Sequence, residues 1–191
     1  MLISKFNNTD VGKFIIRFEE KHNFIFPTQY KVFLLNYNGG RTPNTNFRIN
    51  KISSDLSGFF GFGNADDYYN YKYIESVLGF NNWIETGMLP IGKNVFGDYI
   101  MIGINYKDKE GKIFFHYHDR EDKYIELSET FGAFVNKCRS KKIGHIRTIE
   151  ERKQDMIKNG LGDKITAESL KGWQAEIDEY ANLHQEELVL D

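Results

Sequence analysis

The apolar residues of this chain change their period along its length, and that change restricts the fold more than any other feature. Up to Tyr37 the repeat is helical. Val11, Phe14, Ile15 and Phe18 recur at i, i+3, i+4 and i+7 behind Thr9 or Asp10, either of which can cap a helix. Tyr30, Phe33, Leu34 and Tyr37 repeat the spacing behind Pro27, which sits in a first turn where its missing N–H costs nothing. Asn38-Gly39-Gly40 then closes the helix with residues that accept a left-handed conformation. From Trp83 the pattern is that of a sheet. Tyr99-Ile100-Met101-Ile102-Gly103-Ile104 is almost continuously apolar, as expected of a central strand covered on both faces. Lys107-Asp108-Lys109-Glu110-Gly111 is a polar turn, after which Ile113, Phe115 and Tyr117 alternate with Phe114, His116 and His118. Tyr124–Leu127 adds a short strand, and Ser128 caps a helix with Phe131, Phe134, Val135 and Cys138 on one stripe. Short turns between strands imply antiparallel pairing. The class is therefore α+β: a mainly antiparallel sheet flanked by helices, with an extra C-terminal helical pair.

Between these regions the signals are weaker. Phe47–Ile52 alternates apolar and polar residues and is predicted as one half-buried strand. Ser57–Asn64 is expected to be a loop packed by its phenylalanines, and Asp66 or Asp67 to cap a helix reaching about Leu78, with Ile74, Val77 and Leu78 inward. Arg139–His145 reads as a basic linker. Beyond it, Ile146, Ile149, Met156 and Ile157 mark one helix, while Leu170, Trp173, Ile177 and Tyr180 mark one face of a second. A stripe this clear needs cover, and packing on the body is expected. The division is a domain over residues 1–140 and a helical extension over 141–191.

Composition narrows the function. Sixteen Phe and eleven Tyr supply an aromatic core. The single cysteine, Cys138, excludes an internal disulfide and fits a reducing compartment. No signal peptide or membrane-length apolar run is visible, so a soluble cytoplasmic protein is expected. Residues 145–191 carry six Lys/Arg against eleven Asp/Glu, and residues 1–144 nineteen against sixteen. This near-neutral body lacks the concentrated basic face of a nucleic-acid binder.

Candidate chemistry is sparse. His116 and His118, at i and i+2 on a strand and followed by Asp119, could begin a metal site or serve a small metal-dependent hydrolase. A zinc site needs three or four ligands, and this set falls short. Cys138 lies on an apolar stripe where thiols are usually inert. Gly58–Gly63 has the wrong glycine order for a phosphate loop. Asp66, Asp67, Tyr68, Tyr69 and Tyr71 are better placed for a protein partner, because tyrosines supply large contact area at low entropic cost. On the last helix Glu168, Glu179 and Glu186 are expected to form an acidic ridge opposite the apolar stripe, able to fill a basic groove.

Taken in order, these segments resemble the SUKH superfamily of Smi/Knr-type proteins. The resemblance runs from about Asp10 to Cys138. It rests on Pro27, Tyr30, Phe33, Leu34 and Asn38-Gly39-Gly40, then Pro90, Ile91, Gly97 and Asp98, then Gly111, Ile113, His118 and Asp119, and finally Ser128, Phe131 and Phe134. Two departures are the His-Tyr-His-Asp strand end and the C-terminal helices. The resemblance implies a non-enzymatic immunity protein, without catalytic residues or cofactors, that neutralises a cognate toxin, nucleases being one such class, by tight binding. The alternative it implies is a regulatory scaffold without a toxin. Neither direct nucleic-acid contact nor a membrane is expected, and the protein should be a monomer or weak homodimer.

Overall fold

The computed structural model describes residues 1–120, 123–181 and 183–190. It separates into two units: Met1–Lys142 joined by the segment from Gln185 onward, and Ile143–His184.

The first unit is built on one sheet. Its strands are β1 (Leu2–Lys5), β2 (Gly40–Ile49), β3 (Ile52–Phe59), β4 (Met88–Lys93), β5 (Tyr99–Gly103), β6 (Ile113–His116), β7 (Tyr124–Ser128), β8 (Arg139–Ser140) and β9 (Glu186–Glu187). Their order is β7-β6-β5-β4-β3-β2-β1-β9, with β8 also on β2. Every pairing is antiparallel. Helices α1 (Val11–His22) and α2 (Thr28–Tyr37) separate β1 from β2, α3 (Tyr71–Ile74) and α4 (Phe80–Glu85) separate β3 from β4, and α5 (Phe131–Lys137) lies between β7 and β8. This is the expected α+β arrangement, with β5 central and wholly buried from Ile100 to Gly103.

Aromatic rings fill the space between helices and sheet. Phe18 of α1 meets Phe24, Phe26, Phe62, Tyr71 and Phe80 at centroid distances of 4.9–6.3 Å. Phe33, Phe59 and Phe131 form a second cluster at 5.0–5.4 Å. Each such ring contributes about 1.5–3 kcal/mol through burial.

The Asn38-Gly39-Gly40 block is a splice between α2 and β2. Asn38 is left-handed at φ 54° and buried. Its Nδ2 donates to the carbonyls of Asn7 (2.7 Å) and Phe62 (2.9 Å), and its Oδ1 accepts from the Phe62 N–H (2.8 Å). Gly39, at φ 77°, lies where a Cβ would come within 2.5 Å of the Phe60 carbonyl oxygen, so glycine is required.

Several local expectations are corrected. Phe47–Ile52 is not one strand: Asn50 turns left-handed at φ 54°, and Ile49 pairs with Ile52 across a hairpin. Ser57-Gly58-Phe59 finish β3 and are not loop. The helix expected from Asp66 to Leu78 is broken at Asn70, whose extended backbone lets its Oδ1 cap α3 through the Lys72 N–H (3.0 Å). Leu78 consequently falls in the turn before α4 and is 98% exposed. Asp10 makes no side-chain cap because it is itself left-handed. Thr130, and not Ser128, caps α5 through the Ala133 N–H.

The second unit contains α6 (Ile149–Lys158) and α7 (Ala167–Ala181). Thr148 and Glu151 form a reciprocal capping box at the start of α6. Arg152 of α6 pairs with Glu176 of α7 at 2.7 Å. Leu170, Trp173, Ile177 and Tyr180 are half-buried, and neither helix has a fully buried residue. Among the described residues, no helix is long and apolar enough to cross a membrane.

Candidate partner-binding surface

The histidines separate as the chain leaves the sheet. His116 ends β6 and is buried, its ring stacked on Tyr124 at 4.9 Å and edge-on to Trp83 at 5.8 Å. Burial pushes its pKa below the ordinary histidine range and favours the neutral ring. His118 lies beyond the end of β6, so the two histidines do not share a strand face. Its Nδ1 bonds Asp98 Oδ1 at 2.7 Å. Asp119 is exposed, 3.8 Å from Arg120. No group of three or more His, Cys, Asp and Glu side chains among the described residues is placed to hold a metal ion.

Asp98 uses its carboxylate inside the fold. Burial alone would raise its pKa, but hydrogen bonds from the His118 side chain, the His118 N–H and Asn94 reverse this and hold it below the usual carboxylate range. Cys138 donates to the Phe134 carbonyl, and burial pushes its thiol up to about 12. That thiol is protonated at neutral pH and lacks the thiolate a nucleophile needs.

The tyrosine segment divides into a buried and an exposed part. Tyr71 is 1% exposed, and its hydroxyl lies 3.2 Å from both the Tyr30 hydroxyl and the Pro90 carbonyl. It belongs to the core and is withdrawn from any partner, because the break at Asn70 turns it inward. Asp67, Tyr68 and Tyr69 form a single 3-10 turn. Tyr68 is 71% exposed and Tyr73 46%. Beneath them lies a residue the sequence reading did not single out. Lys93, at the end of β4, places Nζ 5.5, 4.8 and 5.8 Å from the ring centroids of Tyr68, Tyr69 and Tyr73. Among the described residues no carboxylate pairs with it, and burial lowers its pKa from the usual lysine value. Asp66 bonds Arg41 at 2.7 Å, and Asp67 is exposed.

The expected acidic ridge is shorter than predicted. Glu168 and Glu179, both exposed, lie about three turns apart on α7 and so on nearly one line. Glu186 is not on this helix. The helix ends at Ala181, and Glu186 sits in β9 opposite Ile3, its carboxylate 3.3 Å from Lys5.

A model of the SMI1 / KNR4 family (SUKH-1) matches residues 13–137 of the chain. The chain belongs to this family. The match enters within α1 and ends with α5, so it spans α2, α3, α4 and strands β2 to β7 and leaves β1 outside. The unit holding α6 and α7 lies outside it. Comparisons with curated proteins and with solved structures gave no match. In this SUKH-1 chain, Asn38-Gly39-Gly40 and Gly97-Asp98 are occupied with holding the backbone. The exposed tyrosines over Lys93 belong to neither block.

Proposed function

We propose that this SUKH-1 protein is a cytoplasmic immunity protein that binds and neutralises a cognate toxin by tight protein–protein association. The observation that carries this reading is the family match over residues 13–137, in a family known for immunity proteins. The surface agrees with it. Exposed tyrosines stand over a caged lysine, a composition suited to protein contact, while the histidines and the cysteine are engaged in the fold. On this reading the protein has no chemistry of its own and inhibits by covering the toxin's active site or locking its shape. Glu168 and Glu179 would add long-range attraction to a basic toxin.

The test is co-expression with the product of the neighbouring gene. Rescue of growth, with a one-to-one complex on size-exclusion chromatography, is the expected result. Failure of both rescue and complex formation would reject immunity and favour the regulatory scaffold without a toxin.

A further inference from the structure

Where α1 passes α3, its side chains open onto a pocket of about 250 Å³. Phe14, Arg17, Phe18 and Lys21 recur at i, i+3, i+4 and i+7 and line it from α1, while Lys72 and Glu75 line it from the segment of α3. Phe14 belongs to the repeat that packs α1 on the core, yet it is 37% exposed. Its ring lies parallel to that of Phe62 at 6.5 Å, and Phe62 stacks in turn on Tyr71 at 4.6 Å. Gly63 permits this arrangement, because a Cβ there, at φ 56°, would stand 2.9 Å from the Phe14 ring. Asn70 Nδ2 donates to the carbonyls of Gly63 (2.9 Å) and Ala65 (3.3 Å), so the segment is ordered before any partner arrives. Association costs least where the contacting groups are already ordered. The ionic groups of the pocket are unbalanced. Three cations, Arg17, Lys21 and Lys72, stand against one carboxylate, Glu75. Glu75 is already engaged by Lys21 at 2.7 Å and by the His22 ring at 2.6 Å. Arg17 and Lys72 are exposed and have no carboxylate partner among the described residues.

We infer that this pocket receives one large apolar side chain of a protein partner, set beside carboxylates that pair with Arg17 and Lys72. Size selects the class of occupant. Small-molecule sites enclose roughly 300–1,000 Å³. This pocket is smaller, and its aromatic lining suits a single inserted aromatic or leucine side chain. An apolar anchor buried inside a ring of polar contacts is the usual make-up of an interface hot spot. Charge selects the neighbours of that anchor. A partner's lysine or arginine would meet like charge from both α1 and α3, whereas an aspartate or glutamate completes pairs that the fold leaves open. Arg17 can take a carboxylate through two parallel hydrogen bonds, which would fix the register of the contact. The site rests on the immunity reading and is a surface through which that activity would operate.

The experiment measures binding of the co-expressed neighbouring gene product to wild type, F14A, the double reversal R17E/K72E and a control reversal, K51E/K141E. The control changes net charge equally, and neither of its residues lines the pocket. Thermal melts establish that each variant is folded. The expected result is a loss of at least about fivefold in affinity for F14A and for R17E/K72E, with the control falling by less than that. If wild type binds and either F14A or R17E/K72E loses less than fivefold, the pocket is not the anchor, while the immunity reading stands. A control that falls as far as R17E/K72E would mean that net charge decides, and would also overturn the site. If wild type forms no complex, the immunity reading falls and takes the site with it. Sedimentation of the protein alone supplies the remaining arm. A wild-type dimer abolished by R17E/K72E would mean that a second copy fills the pocket, and would overturn the proposed occupant.

Discussion

Replacing Asn38 by alanine tests whether the family's Asn-Gly-Gly block is scaffold. The substitution leaves the buried Phe62 N–H without its acceptor, which costs about 2 kcal/mol. The carbonyls of Asn7 and Phe62 lose a donor, for about 1 kcal/mol together, since a carbonyl tolerates underpairing better than an N–H. Alanine must also hold φ near 54°, for about 1 kcal/mol more. The sum is about 4 kcal/mol, a large share of the roughly 5–15 kcal/mol that stabilises a domain. Asn38→Gly removes the backbone cost alone and should recover about 1 kcal/mol of it. Urea titration followed by tryptophan fluorescence reads both values. A W173F background leaves Trp83, buried in the first unit, as the reporter. A loss below about 1 kcal/mol for N38A, or a glycine variant no more stable than the alanine one, would refute the reasoning.

Four further outcomes are expected. Asp98 has a depressed pKa in the folded state, so its contribution is present above the unfolded value of about 3.9 and is lost as pH falls through the lower folded value. Urea midpoints of wild type and D98N should therefore differ at pH 7 and converge toward pH 3. His116 is held neutral by burial, so the unfolded chain takes up the extra proton, and stability should fall as pH drops below about 6.5. H116F should flatten that slope, and an unchanged slope would assign it elsewhere. Cys138 should resist an aromatic disulfide reagent at pH 8 in the native protein and react at once in urea. On the immunity reading, reversing Glu168 and Glu179 to lysine should weaken binding of the neighbouring gene product far more at low than at high salt, and equal affinity in both would exclude a steering role for these two residues.

Legibility in the sequence followed the range of the interactions. Helix α2 was bracketed closely, because Pro27 and Asn38 carry their conformational limits within themselves. The β2–β3 hairpin was missed although its signal was present. Phe47 and Ile49 keep a period of two, but Ile52 is one residue out of phase, and that slip is the turn. The acidic ridge was overextended because Glu186 fits a helical line that the chain abandons after Ala181. Tyr68 and Tyr71 could not be sorted into exposed and buried without the break at Asn70, whose side chain is held by the Gly63 carbonyl in the preceding turn rather than by a helical neighbour. The tyrosine cage was invisible for the same reason, since β4 brings Lys93 beneath residues far from it in sequence. The exposure of Val95 and Phe96 did leave a local trace: two bulky apolar residues side by side in a turn where polar ones are usual.

The unit holding α6 and α7 leaves and rejoins the sheet at a single spot. The Leu2 N–H donates to Ser140 Oγ of β8 at 2.8 Å, and Leu2 is also the register partner of Glu187 in β9. Beyond that spot, Leu188 is buried and donates its N–H to the Met1 carbonyl, so the returning chain is fastened independently of the helices. The excursion is thus a cassette with adjacent ends. A short glycine-serine bridge could replace residues 143–184 without changing any strand's neighbour, because loop closure depends only weakly on length. The same layout would let one sheet carry inserts of different length at this one position while the core keeps its fold.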